Sequence, residues 1–353
     1  MKNLIIIYNS KIKKINKLYL LIIFNYFLIL IFLFINIYLK NNNFNNNHNK
    51  IDYNEINNLT LTNQIKVDYD NNIFAIIKIN CTTCGLFSFH NYYLGCIDTF
   101  IKKGYTPIID LRFPNIFNRD KINPLNENPW ELFFNQPYQY KIENVQRKAK
   151  NIKYFDCLKY IFVKPNKNTI YKNKILTDYW HNIAIKYIPI NNEIIKEANL
   201  IRRNLFRESK NILGVLARGT DYITVKPKGH AIQPNISTII KDIKEMDEKN
   251  KYDWIFITTE DDIIKNQFIF EIKNKLKYIN HKKIEYNYKS KNFLIFNKHI
   301  IFDYNYFKTY LINIIILSKC IDIICGRNNG SIAAFILSNG FRNNIVYYLG
   351  EYQ

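Results

Sequence analysis

The sequence predicts an α/β protein: two parallel-sheet halves in tandem, carried on one N-terminal membrane helix. Three observations predict it. Residues 18–39 carry no charge at all. From about residue 73, short apolar runs alternate with segments of helical period and with glycine stops, which is the mark of βαβ units and hence of a parallel sheet. The same alternation starts again after an amphipathic stretch at 192–209, so there are two such halves.

The first element is the membrane segment, LYLLIIFNYFLILIFLFINIYL. As a helix, residues 18–39 reach about 33 Å, enough for the hydrocarbon core of a bilayer. Lys11, Lys13, Lys14 and Lys17 precede the run, and only Lys40 follows it before a tract of Asn. The positive-inside bias puts residues 1–17 in the cytoplasm and everything after the span on the far side. No small-x-small cleavage site follows, which favours a retained signal-anchor over a cleaved signal peptide. Residues 40–72 are polar, Asn-rich and without period, and read as a flexible stem.

The globular body opens with a strand at 73–79, a loop through Cys81-Thr-Thr-Cys84-Gly85, a helix at about 90–103 closed by Gly104, and a strand at 105–111. Loop-like sequence follows, including Asn128-Pro-Trp-Glu131 and Gln136-Pro137, up to the amphipathic helix at 192–209. In the second half the expected strands are 211–216, 254–259, 321–325 and a short one at 300–302. The expected helices are 234–248, 263–275, 304–319 and 331–338. Domain boundaries are expected at 73–195 and 196–350.

Composition excludes several classes. With 48% hydrophobic residues, 27 Tyr and 25 Phe, the chain has ample material for a core and is not a disordered protein. The formal charge of +21 invites a nucleic-acid reading. However, the excess is Lys scattered among abundant Asn, Ile and Tyr, the bias of an AT-rich coding sequence, with no dense basic stripe, so nucleic acid is not the expected partner. Among six cysteines, Cys81 and Cys84 form a lone CxxC. A structural zinc site needs about four ligands and no second pair supplies them, so a buried or bridged pair is expected and no metal.

Three strands of the second half end in polar groups, and in open α/β sheets ligands bind beyond such ends. Arg218-Gly219-Thr220-Asp221 supplies a guanidinium suited to a diphosphate, or one that simply pairs with Asp221 at the surface. Glu260-Asp261-Asp262 supplies acceptors for a base or ribose, a helix-start charge cluster (the preferred role of Asp262), or a D-x-D-like metal site. Gly326 to Ser331 supplies backbone amides at a helix start, or an ordinary strand–helix turn. Cation, acceptor and amide turn together are what a nucleotide diphosphate requires.

These motifs resemble the fucosyltransferase superfamily of α1,2-, α1,6- and protein O-fucosyltransferases. Leu216-Ala-Arg218-Gly-Thr-Asp221 is similar to its H-x-R-x-x-D motif, with Leu216 where the His stands. Ile255-Phe-Ile-Thr-Thr-Glu-Asp261 resembles its "ATDD" segment, with Glu260 at the acid that contacts guanine and Asp261 beside it. Ser318 to Ser331 resembles the last motif, whose Ser and amides hold the diphosphate, here Ser331 with Asn329 and Gly330. Gly85-Leu-Phe-Ser88 and Gly104 to Asp110 are similar to acceptor-side segments.

The resemblance implies a GT-B-like fold, two Rossmann-type domains facing a cleft. It also implies GDP-fucose as donor substrate, a glycan or glycoprotein acceptor, inversion at the anomeric carbon, and no obligatory metal or other cofactor. The expected protein is then a single-pass type II membrane enzyme of the Golgi or secretory lumen, if the cell is eukaryotic. Arg218 and Asp221 belong to the catalytic set. For the base, Lys226 stands where α1,6-type enzymes have Glu. His230 aligns with a family His, or is a loop His bonded to backbone, and Asp110 is a third candidate. A transferase using another nucleotide sugar and an inactive carbohydrate-binding relative remain as alternatives.

Overall fold

The structure is a computed structural model that describes residues 68–81, 84–112, 128–160, 162–219, 222, 225–279, 304–338 and 340–353. The expected membrane span, the stem up to residue 67 and the short strand at 300–302 lie outside these. Among the described residues no helix is long and apolar enough to cross a membrane.

The first half runs β1 (Ile73–Lys78), α1 (Leu86–Lys102), β2 (Thr106–Ile109), α2 (Ile142–Lys148), β3 (Asn151–Asp156) and α3 (Lys174–Tyr187). Then α4 (Asn192–Phe206) leads into β4 (Ile212–Leu216), α5 (Ile236–Asn250), β5 (Trp254–Thr258), α6 (Asp262–Ile272) and β6 (Leu276–Lys277). The chain finishes with α7 (Tyr304–Ser318), β7 (Asp322–Gly326), α8 (Asn329–Leu337) and β8 (Asn344–Tyr347). The strands form a three-stranded sheet of order β2-β1-β3 and a five-stranded sheet of order β6-β5-β4-β7-β8. Every pairing within them is parallel. Strands buried on both faces read as apolar runs; β4, buried along its whole length, is such a run, and β7, equally buried, is one after its first residue, Asp322, which pairs with Arg342.

Three elements occupy sequence that reads as loop. Strand β3 is an edge strand exposed along much of its length, so it lacks the apolar run that marks β1. Helix α3 buries Thr177, Trp180, Ala184 and Tyr187. That is helical spacing, but in residue types that do not announce an apolar face. Helix α2 is short, with Ile142 and Val145 as its buried contacts. Helix α1 starts at Leu86 rather than near 90, capped by the backbone of Gly85.

Residues Lys66–Gln353 form one compact unit. The three-stranded sheet falls before residue 195 and the five-stranded sheet after it, yet one apolar core runs across that point. It takes in Ala75 and Ile77 of β1, Ile212 of β4, Phe256 of β5 and Ile323 of β7. Helix α8 explains the continuity. It packs on α7, α3 and α1 and buries every residue from Gly330 to Leu337. A helix that is apolar all round needs partners on every side. Two disulfides fasten the first half: Cys81–Cys84, so the CxxC pair is bridged, and Cys96–Cys157, which ties α1 to the turn after β3.

Candidate donor-binding site

Strands β5, β4 and β7 lie side by side, so their carboxyl ends make one edge. Just past β4, Arg218 donates from Nη1 to Glu260 Oε1 at 3.1 Å, and Glu260 lies just past β5. The two side chains are only 20% and 16% exposed, so water screens the pair weakly. The guanidinium also stands over the Tyr222 ring, 4.6 Å from its centroid, a cation–π arrangement. Gly219 lets α6 approach, since a Cβ there would lie 2.1 Å from Cδ1 of Ile264. Thr220 and Asp221, the second half of the motif, lie outside the described residues. Leu216, where the resembled motif has His, packs into the apolar core.

The acidic triplet separates into three roles. Glu260 faces Arg218. The Asp261 carboxylate caps α6, accepting from the amides of Ile263 at 2.8 Å and Ile264 at 3.2 Å. It is buried, so it is spent on the helix rather than offered to a ligand as the sequence predicts. Asp262 pairs with Lys265 one turn on, at 2.6 Å. Among the described residues, no group of three or more His, Cys, Asp or Glu is placed to hold a metal ion.

The third strand end is the turn into α8, and it too differs in detail from expectation. Asn328 and Ser331 form a reciprocal capping box. Ser331 is completely buried. Its hydroxyl bonds Gly326 O at 2.7 Å and shares a hydrogen bond with the Tyr171 hydroxyl at 2.8 Å, while the Asn328 amide donates to it at 3.0 Å. Ser331 therefore builds the turn from beneath and does not face a ligand. The amides of Asn329 and Gly330, the first two of the helix, have no intrahelical acceptor by helix geometry. Of the two residues, Asn329 is exposed and Gly330 is buried. The Asn329 side chain reaches the other half, donating to Ser88 Oγ at 2.7 Å and accepting from Asn91 Nδ2 at 3.1 Å, both on α1.

His230 is drawn into the same neighbourhood. It is exposed, and its Nδ1 lies 3.1 Å from the hydroxyl of Tyr222, the ring beneath Arg218. Asp110, the other candidate base, is not available. It is buried at the end of β2, where Arg112 binds it through Nε at 2.9 Å and Nη2 at 3.2 Å and Lys78 stands 3.5 Å away. Lys226 is exposed, in left-handed backbone at φ 48°. Asn128-Pro-Trp-Glu131 is likewise structural: Asn128 Nδ2 donates to Ile109 O at 2.6 Å, and Trp130 is buried against Phe134.

Sequence reading missed Tyr222 and, above all, Tyr310. Tyr310 joins Tyr306, Asn313, Thr258, Thr259 and Glu260 in lining a recess at the end of β5. Burial raises its pKa, with the Arg218 charge opposing. A weak signal exists: 306, 310 and 313 are polar-tipped residues at helical spacing, the last of them inside the apolar run from Leu311 to Leu317.

No family model matches the sequence, and no curated protein does. Solved structures similar to this chain are fucosyltransferases. The NodZ alpha-1,6-fucosyltransferase soaked with GDP-fucose is 13% identical with a TM-score of 0.43, over 75% of this chain and 93% of that one. The fucosyltransferase NodZ from Bradyrhizobium gives 13% and 0.42, over 75% and 93%. POFUT1 in complex with GDP-fucose gives 10% and 0.42, over 80% and 99%. Such distant likeness leaves the site's own residues to say what it binds.

Proposed function

We propose that this protein is a membrane-anchored, inverting glycosyltransferase of GT-B type that moves fucose from GDP-fucose to a hydroxyl of a glycan or protein. The observation that carries the proposal is Arg218 at the end of β4, on the same sheet edge as the turn from β7 into α8. A fixed cation beside a helix N-terminus, beyond the carboxyl end of a parallel sheet, is what a leaving diphosphate needs. The motif resemblance at 216–221, 255–261 and 318–331 supports guanine and fucose as the base and sugar. The uncharged run at 18–39 and two disulfides, which persist in oxidising compartments, support a type II protein facing the secretory lumen.

In this reading the acceptor hydroxyl attacks the anomeric carbon in line with the departing GDP. Arg218 and the amides of Asn329 and Gly330 take up the charge that develops on the diphosphate, and no metal is required. His230, oriented by Tyr222, receives the proton from the acceptor hydroxyl. The locked Asp110 and the cationic Lys226 leave His230 as the base to test. They also give weight to a second reading, a carbohydrate-binding relative that holds donor without turning it over.

A donor panel separates these readings. GDP at a hundred times its Kd stabilises the protein by about 2.7 kcal/mol, so a thermal shift with GDP and not with UDP, CDP or ADP is expected. Selective stabilisation by UDP would overturn the fucosyl reading. Arg218→Ala is expected to cut turnover by about a hundredfold or more while the unliganded melt stays in place. GDP binding without any transfer would leave the binding-protein reading standing.

A further inference from the structure

We infer that Lys167 is a positioning residue of the proposed reaction: it clasps the segment after β8 onto the turn that carries His230, so that the imidazole is already in place when the acceptor hydroxyl arrives. The inference rests on the reading of His230 as the base.

The turn has little of its own to hold it. Lys228, Gly229 and His230 are exposed, and Gly229 takes left-handed backbone at φ 76°, a conformation that glycine adopts without strain. Within the turn, the His230 amide donates to Pro227 O at 3.0 Å. Further backbone bonds come from the segment after β8. The Gly229 amide donates to Tyr352 O at 2.8 Å, the Tyr352 amide to His230 O at 2.9 Å, and the Ile232 amide to Gly350 O at 3.1 Å. This is antiparallel pairing, with Ala231 opposite Glu351, and it flanks the histidine on both sides. Residues 350–352 are thus a strap across the turn.

Two cations fasten the strap. Lys167 Nζ donates to Gly229 O at 2.6 Å and pairs with Glu351 Oε1 at 2.9 Å, so a single ammonium bonds the turn and the strap at once. Arg327, buried just past β7, donates from Nη2 to Gly350 O at 2.9 Å and from Nη1 to the side chain of Asn168, the neighbour of Lys167. Its guanidinium also lies 4.9 Å from the centroid of the Tyr348 ring. The strap is therefore tied to the turn that leads into α8 and to residues 167 and 168. With its backbone held, His230 keeps Nδ1 at 3.1 Å from the Tyr222 hydroxyl, and the Tyr222 ring faces the Arg218 guanidinium. A half-exposed ion pair adds little to overall stability. Its effect here is on place, since a displacement of about 1 Å can cost a reacting group about a hundredfold in rate. Without Lys167, Gly229 O and the Glu351 carboxylate lose the donor they share.

The test uses the full chain, with release of GDP from GDP-fucose in water as the activity and calorimetric titration of GDP as the binding measurement. Lys167→Met is expected to lower kcat by about tenfold or more. KM, the GDP Kd and the unliganded melting temperature are expected to stay where they are, while amide exchange quickens at residues 229–232. Lys167→Arg, which keeps a donor for each partner, is expected to restore most of the rate. His230→Gln is expected to lower kcat by about a hundredfold. The double variant Lys167→Met/His230→Gln is expected to be no slower than His230→Gln alone, because a positioning residue then has nothing left to position. Wild-type kcat in Lys167→Met beside a slow His230→Gln overturns the inference and leaves the base reading intact. A Lys167→Met loss that adds in full to that of His230→Gln also overturns it, since Lys167 then acts elsewhere. His230→Gln at the wild-type rate removes the base reading and the inference with it, as does a wild-type chain that binds GDP but releases none from GDP-fucose.

Discussion

His90 on α1 is completely buried. Its Nδ1 lies 3.3 Å from Asn91 Oδ1, its Nε2 finds no hydrogen-bond partner among the described residues, and its ring sits against Phe87 and Phe134. Burial pushes its pKa down to about 4, with the Asn91 contact opposing. The sign of the consequence follows. An unfolded chain takes up this proton near pH 6.5, while the native chain refuses it until about pH 4. The stability tied to His90 is therefore intact above pH 6.5 and is lost progressively as pH falls to 4, by about 3 kcal/mol. His90→Phe should remove that part of the slope. Urea unfolding at pH 7, 5.5 and 4.5 checks it: the wild-type midpoint should fall more steeply than the variant's. The same chemistry explains why the candidate carboxylates at Asp110 and Asp261 are already committed, one to Arg112 and the other to a helix start. A buried charge survives only with its partners.

At the scale of elements, α8 depends on its capping box. Ser331→Ala removes the hydroxyl that binds Gly326 O and receives the Asn328 amide, and it should lower unliganded stability by about 1–2 kcal/mol. A thermal melt without ligand is decisive, because a serine serving only a diphosphate would leave that melt unchanged. Such roles mark what a sequence can and cannot tell. Strands β1, β4, β5 and β7 are legible because each is an apolar run broken by glycine or charge. Arg218 and Glu260 are legible as strand-end residues because a strand end is a local feature, and the structure brings the two together. Strand β3 was missed because an exposed edge strand carries no apolar run, and α3 because its buried face is made of Thr, Trp, Ala and Tyr. Tyr310 was missed for a different reason. Its place beside Thr258 and Glu260 depends on how α7 is rotated against β5, and no spacing along the chain encodes that rotation. Ser331 is legible as a turn residue, but only geometry shows that its hydroxyl points into the turn, toward Gly326 O and Tyr171.

At the scale of the molecule, the Cys96–Cys157 disulfide closes a loop across 61 positions of sequence. On the chain-entropy account such a bridge stabilises by about 4 kcal/mol. Cys96→Ala should therefore lower the denaturant midpoint clearly, and added reductant should bring the wild type toward the variant; a midpoint unmoved by either would mean the bridge is not formed. The parallel topology has an effect that begins before the protein is whole. Leu213 of β4 lies beside Asp322 of β7, and Gly214 beside Ile323. The central strand of the larger sheet thus receives one of its two neighbours only after most of the chain has been synthesised. Until then a wholly apolar strand keeps one edge open, the kind of surface that recruits chaperones or other nascent chains. The segment that closes the edge, β7 and α8, also brings the turn between them and the glycine that Tyr310 abuts. A polypeptide released early would carry Arg218 and Glu260 without the turn into α8, so finishing the sheet and completing the candidate site are a single event in the life of the nascent chain.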